Sequence, residues 1–561
     1  MRLSLHYLQL HKQFGTQETA ELTLAEIAET LGCTHRTAVT IIGKLADQGW
    51  IVWSARRGRG KRSSLRFLAE PRDIARASLR EASGSGQLGR SLEQLAGHAA
   101  VDSEAPLEAW LAAWFGHRAE ISRERQVDIL RLPIRERLQT IDPAGMNLLA
   151  ESFIASHVYD GLVRWSEDGR HILPNLAHAW EVDEARRTWT FHLRKGVVFH
   201  DGRELGASDV VYSLERLRAP GQRSLYAPLF RQIRAVRAWT NAAVIIELDA
   251  AHELLLPLLC TSRAAIVSSQ GENEPVRVGT GPFKPVRLEP HLCILETYPH
   301  YHLGRAQLDR VEIVHVPWRA EQGQPVSAPD PHAPFHLMHH AGAEGRGWSR
   351  ISPETTVRKF ITCNSRTSAV LSDPAARAGV AAALAEQPVP PTLRQLVSAP
   401  LRLATIEPYR QDALLVAERL VRAGYRCEVT TSSPYAFKQA AQPEADLILF
   451  ALLRDRDAQL RLYDLYATME SRLDAAGAAE VERTLRAVLA ETDPEARAAL
   501  YEALESELVA RRQLHILYEK PVEAAYLPSL RGVSWGAQGW VDLRKLWFPP
   551  VSAHEADEGE A

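Results

Sequence analysis

The chain has 561 residues, 45% of them apolar and 24% charged, with a formal net charge of −3. That balance is globular and excludes a collagen-like, disordered or disulfide-stapled chain. At roughly 100–200 residues per domain it predicts about three or four structural units, and with no overall positive charge any nucleic-acid surface must be local.

The five cysteines, at positions 33, 260, 293, 363 and 427, are odd in number and form no C-x-x-C pair. Neither a zinc site nor a disulfide framework is expected from them, and a reducing compartment is the easier reading. No apolar run reaches the ~18 residues of a membrane span. Met1 to Gly15 carries Arg2, His6, Gln9, His11, Lys12 and Gln13, and lacks the apolar stretch of an export signal. Leu31-Gly32-Cys33 has the look of a lipoprotein cleavage box, but Glu21, Glu26 and Glu29 precede it. Cys33 is read as an ordinary helix-turn residue and the protein as cytoplasmic.

Residues 1–68 open with a helix carrying Leu3, Leu5, Leu8, Leu10 and Phe14, interrupted at Gly15. Thr23 caps a second helix, with Glu26 completing a capping box, and Gly32 ends it. Thr34 caps a third helix that runs to about Gln48, with Ala38, Ile41, Ile42 and Leu45 inward. Its outer face is His35, Arg36, Thr37, Thr40 and Lys44. Two short helices joined by a glycine turn form a helix-turn-helix pattern, whose second helix enters the major groove. Arg36 suits guanine or phosphate; Thr37 and Thr40 suit phosphate or a thymine methyl.

The run Trp50 to Trp53 and the run Leu65 to Leu68 then read as a hairpin whose tip holds Arg56, Arg57, Arg59, Lys61 and Arg62: a wing. Residues 51–66 carry six basic and no acidic side chains, and residues 1–70 carry ten basic against six acidic. A positive module on a negative chain is the electrostatic footprint of duplex binding. The candidate DNA contacts are therefore Thr34, His35, Arg36, Thr37, Thr40, Lys44, Arg56, Arg57, Arg59, Lys61 and Arg62. A protein-interaction module with a solvated basic face is the alternative. Gly60-Lys61 is no nucleotide loop, because Ala55 and Arg62 break the required spacing.

Residues 69–122 show loose helical spacing, broken at Ser83-Gly84-Ser85-Gly86, and read as a helical connector. Residues 123–550 interleave strands and helices, so an α/β module is expected. Thr190 to Phe199 alternates as a half-buried strand, with His200-Asp201-Gly202 as its turn. Ser208 is placed to cap a helix that begins with Asp209. Gly279 and Gly281 flank a tight turn. Asp412 to Ala423 reads as a helix, and Arg426 to Thr430 as a strand. Residues 551–561 form a short acidic tail, expected to be disordered.

Several ordered motifs lie in that module: Tyr159-Asp160-Gly161-Leu162, Pro174-Asn175-Leu176-Ala177, the stretch Trp189 to Gly202, Ser208 to Arg216, Gly279-Thr280-Gly281-Pro282-Phe283, and Tyr301 to Asp309. Over most of residues 127–550 they resemble the oligopeptide/dipeptide/nickel-type extracytoplasmic solute-binding proteins of ABC importers, solute-binding family 5. The resemblance implies two α/β lobes on a hinge, the type II periplasmic-binding-protein-like fold, closing on a small ligand. The N-terminal winged helix, Gly49-Trp50, Gly58 to Ser63, Gly539-Trp540 and Leu546-Trp547-Phe548 together resemble the SgrR family of bacterial transcription regulators. That resemblance implies a cytoplasmic sensor that converts metabolite binding into transcription, and its best-known members respond to sugar-phosphate stress.

Transport members of family 5 usually carry Gly-Trp-x-x-Asp-Tyr-x-Asp-Pro in the second lobe, where this chain has Ala451 to Asp457. The tryptophan and proline are lost and Arg454 and Arg456 appear, which weakens a peptide ligand. Arg454 or Arg456 would then face the cleft and pair with an anion such as a sugar phosphate through a planar, two-bond fork. The alternative is two surface charges balanced by Asp455 and Asp457. His332, His336, His339 and His340 crowd one segment, but no carboxylate or cysteine completes a metal set. No catalytic motif occurs in its required context, and no cofactor is expected.

The expected architecture is thus an α+β winged helix-turn-helix followed by a two-lobed α/β solute-binding module. The expected function is a one-component transcription regulator that binds double-stranded promoter DNA and a small-molecule effector. Lobe closure would change promoter affinity or RNA polymerase contact. An importer's solute-binding component, an enzyme on a borrowed scaffold and a DNA-binding protein with a decayed sensor are the competing classes.

Overall fold

The computed structural model describes residues 2–15, 19–56, 62–71, 73–74, 77–78, 116–122, 125–134, 137–146, 148–219, 225–270, 276–315, 349–351, 355–437, 444–455, 457–521, 524–526, 530–534 and 541–549. The chain divides into two compact units. One comprises 1–137, 287–294 and 311–328; the other comprises 138–286, 295–310 and 329–561.

The first unit begins with helix α1 (Arg2–Phe14), strand β1 (Ala20–Leu22), α2 (Leu24–Thr30), α3 (His35–Asp47), β2 (Ile51–Ser54) and β3 (Ser63–Phe67). The strands order as β1-β3-β2, all antiparallel. The capping box at Thr23 and Glu26 is formed, and Gly32 takes the left-handed φ of +58° that ends α2. Tyr7, Leu10, Ile27, Ala38, Leu45 and Leu65 are buried together as the core. The Tyr7 ring meets Trp50 and Phe67 edge-on, and its hydroxyl donates to the Ala69 carbonyl. β1 was not expected from the sequence. Its three residues lie in the polar stretch after Gly15 and are held by pairing with β3.

Strands β4 (Gly116–Ser122) and β5 (Arg125–Ile134) pair antiparallel. β4 therefore covers the end of the stretch read as a helical connector. The sheet continues through β12 (Phe283–Glu289), β13 (Leu292–Thr297) and β14 (Arg310–His315) in the order β12-β13-β14-β5-β4. Arg131 of β5 and Glu312 of β14 form an almost buried ion pair at 2.7 Å.

The second unit opens with α4 (Leu149–Val158), β6 (Val163–Trp165), β7 (Ile172–Pro174), β8 (Ala177–Val182), β9 (Thr188–Leu193), α5 (Ala207–Arg218), α6 (Ala227–Phe230), β10 (Ile233–Thr240), β11 (Ala243–Leu248) and α7 (Leu255–Leu259). β10-β11-β9-β8 is a four-stranded antiparallel sheet. The alternation of Trp189, Phe191 and Leu193 inward on β9 follows the expected period of two. The cap of α5 differs from expectation. The helix starts at Ala207, and Asp209 rather than Ser208 does the capping, its carboxylate accepting from the Gly206 N–H at 3.0 Å.

The second lobe holds β15 (Ser349–Ile351), β16 (Thr356–Cys363), α8 (Pro374–Leu384), α9 (Pro391–Gln395), β17 (Leu401–Ile406), α10 (Arg410–Arg422), β18 (Cys427–Ser432), α11 (Pro434–Ala436), β19 (Leu447–Arg454), α12 (Ala458–Met469), α13 (Ala475–Ala490), α14 (Pro494–Ala510), β20 (Leu514–Pro521) and β21 (Ala524–Tyr526). Its sheet is β18-β17-β19-β16-β20, with β17 parallel to both neighbours. Helices α8 and α10 pack on one face through Val380, Leu384, Val416 and Leu420. Helices α12, α13 and α14 pack on the other, and their core runs without a break into that of the first lobe. Two α/β lobes sharing one apolar seam is the architecture that the motifs implied.

Candidate nucleic-acid interface and solute site

The residues expected to contact DNA are positioned by α3. Thr34 is its cap: its hydroxyl accepts from Thr37 N–H at 3.3 Å and lies 2.9 Å from the Thr37 hydroxyl. Thr40 O–H donates back to the Arg36 carbonyl at 3.1 Å, leaving its oxygen free to accept from outside. With Ala38, Ile41, Ile42 and Leu45 buried, the helix presents Thr34, His35, Arg36, Thr37, Thr40 and Lys44 to solvent. No carboxylate occurs between Thr34 and Ala46.

At the base of the hairpin the arginines are already engaged. Arg62 Nη2 donates to Glu26 at 2.7 Å, and Arg56 lies 3.9 Å from Glu21. Arg36 and Lys44 belong to neither pair. Glu26 is held below the ordinary carboxylate range by hydrogen bonds from Thr23, with Arg62 adding to them. Such exposed pairs are worth at most about 1 kcal/mol and exchange readily for a phosphate. Arg57, Arg59 and Lys61 lie outside the described residues.

In the solute-binding fold the resemblance motifs converge on one buried knot. Asp160, from the Tyr159-Asp160-Gly161 motif, is almost wholly buried. Its carboxylate accepts from Asn175 Nδ2 at 3.2 Å, Thr280 Oγ1 at 3.2 Å and Tyr301 O–H at 3.1 Å. His302 Nε2 donates to Asn175 Oδ1 at 3.2 Å, and burial pushes that imidazole below its ordinary pKa. The strap through Gly279 and Gly281 crosses the end of α4, where Gly281 N–H donates to Val158 O at 3.0 Å. His200 donates from Nε2 to Gly281 O at 2.9 Å and is pushed down to about 4 by burial. Five of the six motifs supply a part of this hydrogen-bonded frame, and the Ser208 to Arg216 motif instead caps α5 and pairs with Arg203. Single-sequence reading found the motifs but not their meeting point, because their spacing along the chain carries no distance in space.

The frame is closed by residues far along the chain. His157 donates from Nδ1 to Phe153 O at 2.9 Å and accepts at Nε2 from Leu543 N–H at 3.1 Å. Arg544 reaches Tyr301 Oη at 3.4 Å and forks onto Asp542. Burial alone would raise the Asp542 carboxyl, but the Arg544 hydrogen bonds and charge outweigh it and hold it at about 2, against 3.8 for a free Asp. A depressed carboxyl stabilises the fold above its unfolded pKa. That contribution, about 2 kcal/mol, is present above pH 3.8 and is lost as pH falls toward 2. Urea midpoints at pH 5 and pH 2.5 should therefore differ less in Asp542→Asn than in the parent chain.

The Ala451 to Asp457 stretch ends β19 at the carboxyl edge of the second-lobe sheet, where open α/β sheets bind their ligands. Arg454 is half-buried and lies 3.6 Å from Glu519, which also takes Arg358 at 2.6 Å; Arg358 reaches Glu505 as well. Its balancing charge is thus Glu519, and Asp455 and Asp457 have other partners. Asp455 pairs with Arg461 at 2.8 Å, and Asp457 accepts from Trp165 Nε1 of the first lobe at 3.1 Å. Tyr226 N–H donates to Asp464 at 2.8 Å, a second polar link between the lobes. Arg456 lies outside the described residues, as do His332, His336, His339 and His340. Among the described residues no helix is long and apolar enough to cross a membrane, and no metal-type cluster occurs.

Comparison with known proteins gives two matched regions. Residues 2–112 match the family described as "Sugar transport-related sRNA regulator N-term", and residues 171–384 match "Bacterial extracellular solute-binding proteins, family 5 Middle". The chain is 32% identical over 324 residues to the uncharacterized protein YhjP of Bacillus subtilis, an alignment covering 56% of this chain and 55% of the relative. It is 31% identical over 328 residues to the HTH-type transcriptional regulator SgrR of Yersinia enterocolitica, covering 57% and 55%. The chain spans about half the length of the curated relatives it matches.

Among solved structures, the dipeptide binding protein of Pseudoalteromonas sp. SM9913 in complex with Met-Leu aligns with a TM-score of 0.61 at 16% identity, over 75% of this chain and 100% of that one. The periplasmic binding protein DppA of Helicobacter pylori in complex with the peptide STSA aligns at 0.60 and 17%, over 75% and 98%. These likenesses establish the fold. The chain is thus similar to the SgrR regulators, pairing an N-terminal match to the sugar transport-related regulator model with a two-lobed fold of the family 5 solute-binding type.

Proposed function

We propose that the protein is a one-component transcription regulator of the bacterial cytoplasm. Its winged helix binds double-stranded promoter DNA, and its two-lobed fold binds a small solute. The observation that carries the reading is α3: a capped helix with a buried apolar face and an outer face of His35, Arg36, Thr40 and Lys44 free of carboxylates. It sits on the same chain as a fold whose solved neighbours include proteins in complex with Met-Leu and with the peptide STSA. Thr34, His35, Arg36, Thr37, Thr40, Lys44, Arg56 and Arg62 are the DNA contacts of this reading among the described residues, and Arg57, Arg59 and Lys61 are proposed with them from the sequence.

The effector is an anionic solute such as a sugar phosphate, met by Arg454 and Arg456, and its binding alters promoter affinity or contact with RNA polymerase. Arg454 supports this by its place at the carboxyl edge of the sheet and its loose pair with Glu519. If Arg454→Ala and Arg456→Ala both leave the effector response unchanged, the anion contact is elsewhere.

The test is mobility-shift binding to DNA upstream of the gene and its neighbours, titrated with salt, with and without phosphorylated sugars. Log affinity should fall against log salt with a slope near −0.9 per phosphate contacted. Lys44→Ala should reduce that slope by about one contact, and Arg36→Ala should cost about 1–3 kcal/mol if it forks onto a guanine. No duplex binding under any condition would make residues 1–68 a protein-interaction module.

A further inference from the structure

The outer face of α3 contains one residue that neither folding nor charge explains. Val39 is 52% exposed, on a helix whose other large apolar side chains, Ile41, Ile42 and Leu45, are buried. A β-branched residue is a poor helix former, and an exposed one gains nothing from burial. At 100° per residue, Arg36, Val39, Thr40 and Gly43 form one stripe (i, i+3, i+4, i+7) along the middle of the exposed face. Gly43 adds no side chain to that stripe, and a Cβ built on it would meet nothing within 4 Å. The stripe is therefore a flat apolar step at Val39, a gap at Gly43, and a guanidinium at Arg36 on one side. Lys44 is exposed at its margin, and no carboxylate lies on the helix before Asp47.

We infer that Val39 is a specificity-determining residue that packs on a thymine 5-methyl group in the major groove, with the Gly43 gap letting the helix approach and Arg36 reading a neighbouring guanine. The inference rests on the DNA-binding reading and adds to it which bases are read. The major groove displays only one apolar group, the thymine methyl, and Val39 is the apolar group aimed outward. Phosphates would be served by the basic residues alone, so a duplex held only by its backbone would have no use for Val39. Side chains at i and i+3 stand about 5–6 Å apart, and base pairs stack every 3.4 Å along a strand. The thymine and the guanine should therefore lie one or two base steps from each other.

The experiment selects duplexes from a random library with the full-length protein, then replaces each thymine of the selected duplex by deoxyuridine, which lacks only the methyl. The wild-type chain should lose about fourfold in affinity at one position, the worth of one buried methyl. Val39→Ala should be indifferent to that replacement and should bind the thymine duplex about as weakly as wild type binds the deoxyuridine one. Val39→Thr, which keeps one methyl, should remain sensitive. Arg36→Ala should lose the guanine preference and keep the methyl sensitivity. Circular dichroism of each variant confirms that α3 is formed.

Salt-dependent binding with no position sensitive to deoxyuridine overturns the inference and leaves the DNA-binding reading standing. Methyl sensitivity retained by Val39→Ala also overturns it. Absence of any salt-dependent duplex binding removes both readings together.

Discussion

Gly279→Ala is expected to destabilise the solute-binding fold by about 3 kcal/mol or more, at or above the usual ceiling for overpacking. The added Cβ would stand 2.1 Å from the Val158 carbonyl oxygen and 2.6 Å from the Tyr159 ring. The first of these is backbone at the end of α4, so no rotamer change relieves it. The strap cannot retreat either, because Gly281 N–H donates to Val158 O and His200 N–H donates to Gly279 O at 2.9 Å. The check is the urea midpoint, with Gly43→Ala as the opposite control. There the Cβ meets open space on an exposed helix, and alanine should gain up to about 1 kcal/mol. A Gly279→Ala chain with an unchanged midpoint would mean that strap and helix stand further apart than described.

Asp160→Ala should be the second severe change, costing about 3–5 kcal/mol. It removes an acceptor of Asn175, Thr280 and Tyr301 at once, and leaves the Thr280 and Tyr301 hydroxyls without that buried acceptor, while Asn175 keeps the Gly161 carbonyl. Tyr301 in turn orients toward Arg544, so the loss reaches the distal part of the frame. Thr280→Ala removes one of those bonds with its donor and should cost only about 1 kcal/mol. Denaturation midpoints of the two variants give the ratio. If Asp160→Ala lies within 1 kcal/mol of wild type, the carboxylate is not what holds the motifs together.

Local chemistry was legible before any coordinates. The Thr23–Glu26 capping box, the Gly32 stop and the inward face of α3 all follow from rules spanning fewer than ten residues. The motifs of the solute-binding fold were legible through resemblance, and the two-lobed architecture followed. What escaped was long-range. β1 has three residues and exists only because β3 pairs with it. The alternative for Arg454, balance by the acids beside it, names the wrong acids: its partner is Glu519, on the far side of β16 in the sheet. Asp209 could be told from Ser208 as the cap only once the helix start was fixed at Ala207. Val39 is absent from the outer face expected for α3 because that face is defined by polar side chains, and helical periodicity assigns apolar residues inward.

The docking of Leu543 onto His157 fixes an order of events in biosynthesis. The two residues are 386 apart in sequence. At 5–20 residues per second, the ribosome needs on the order of 20–80 s to travel from one to the other. Through that interval α4 has been made, but its terminal imidazole has no backbone N–H to receive, and the Asp542–Arg544 clasp does not yet exist. The nascent chain therefore spends its synthesis with the surface destined to surround His157, including Phe153 and Phe283, open to chaperones and proteases. The frame around His157 is complete only in a chain translated through residue 544, so a message cut short before that codon yields the winged helix without a finished two-lobed fold.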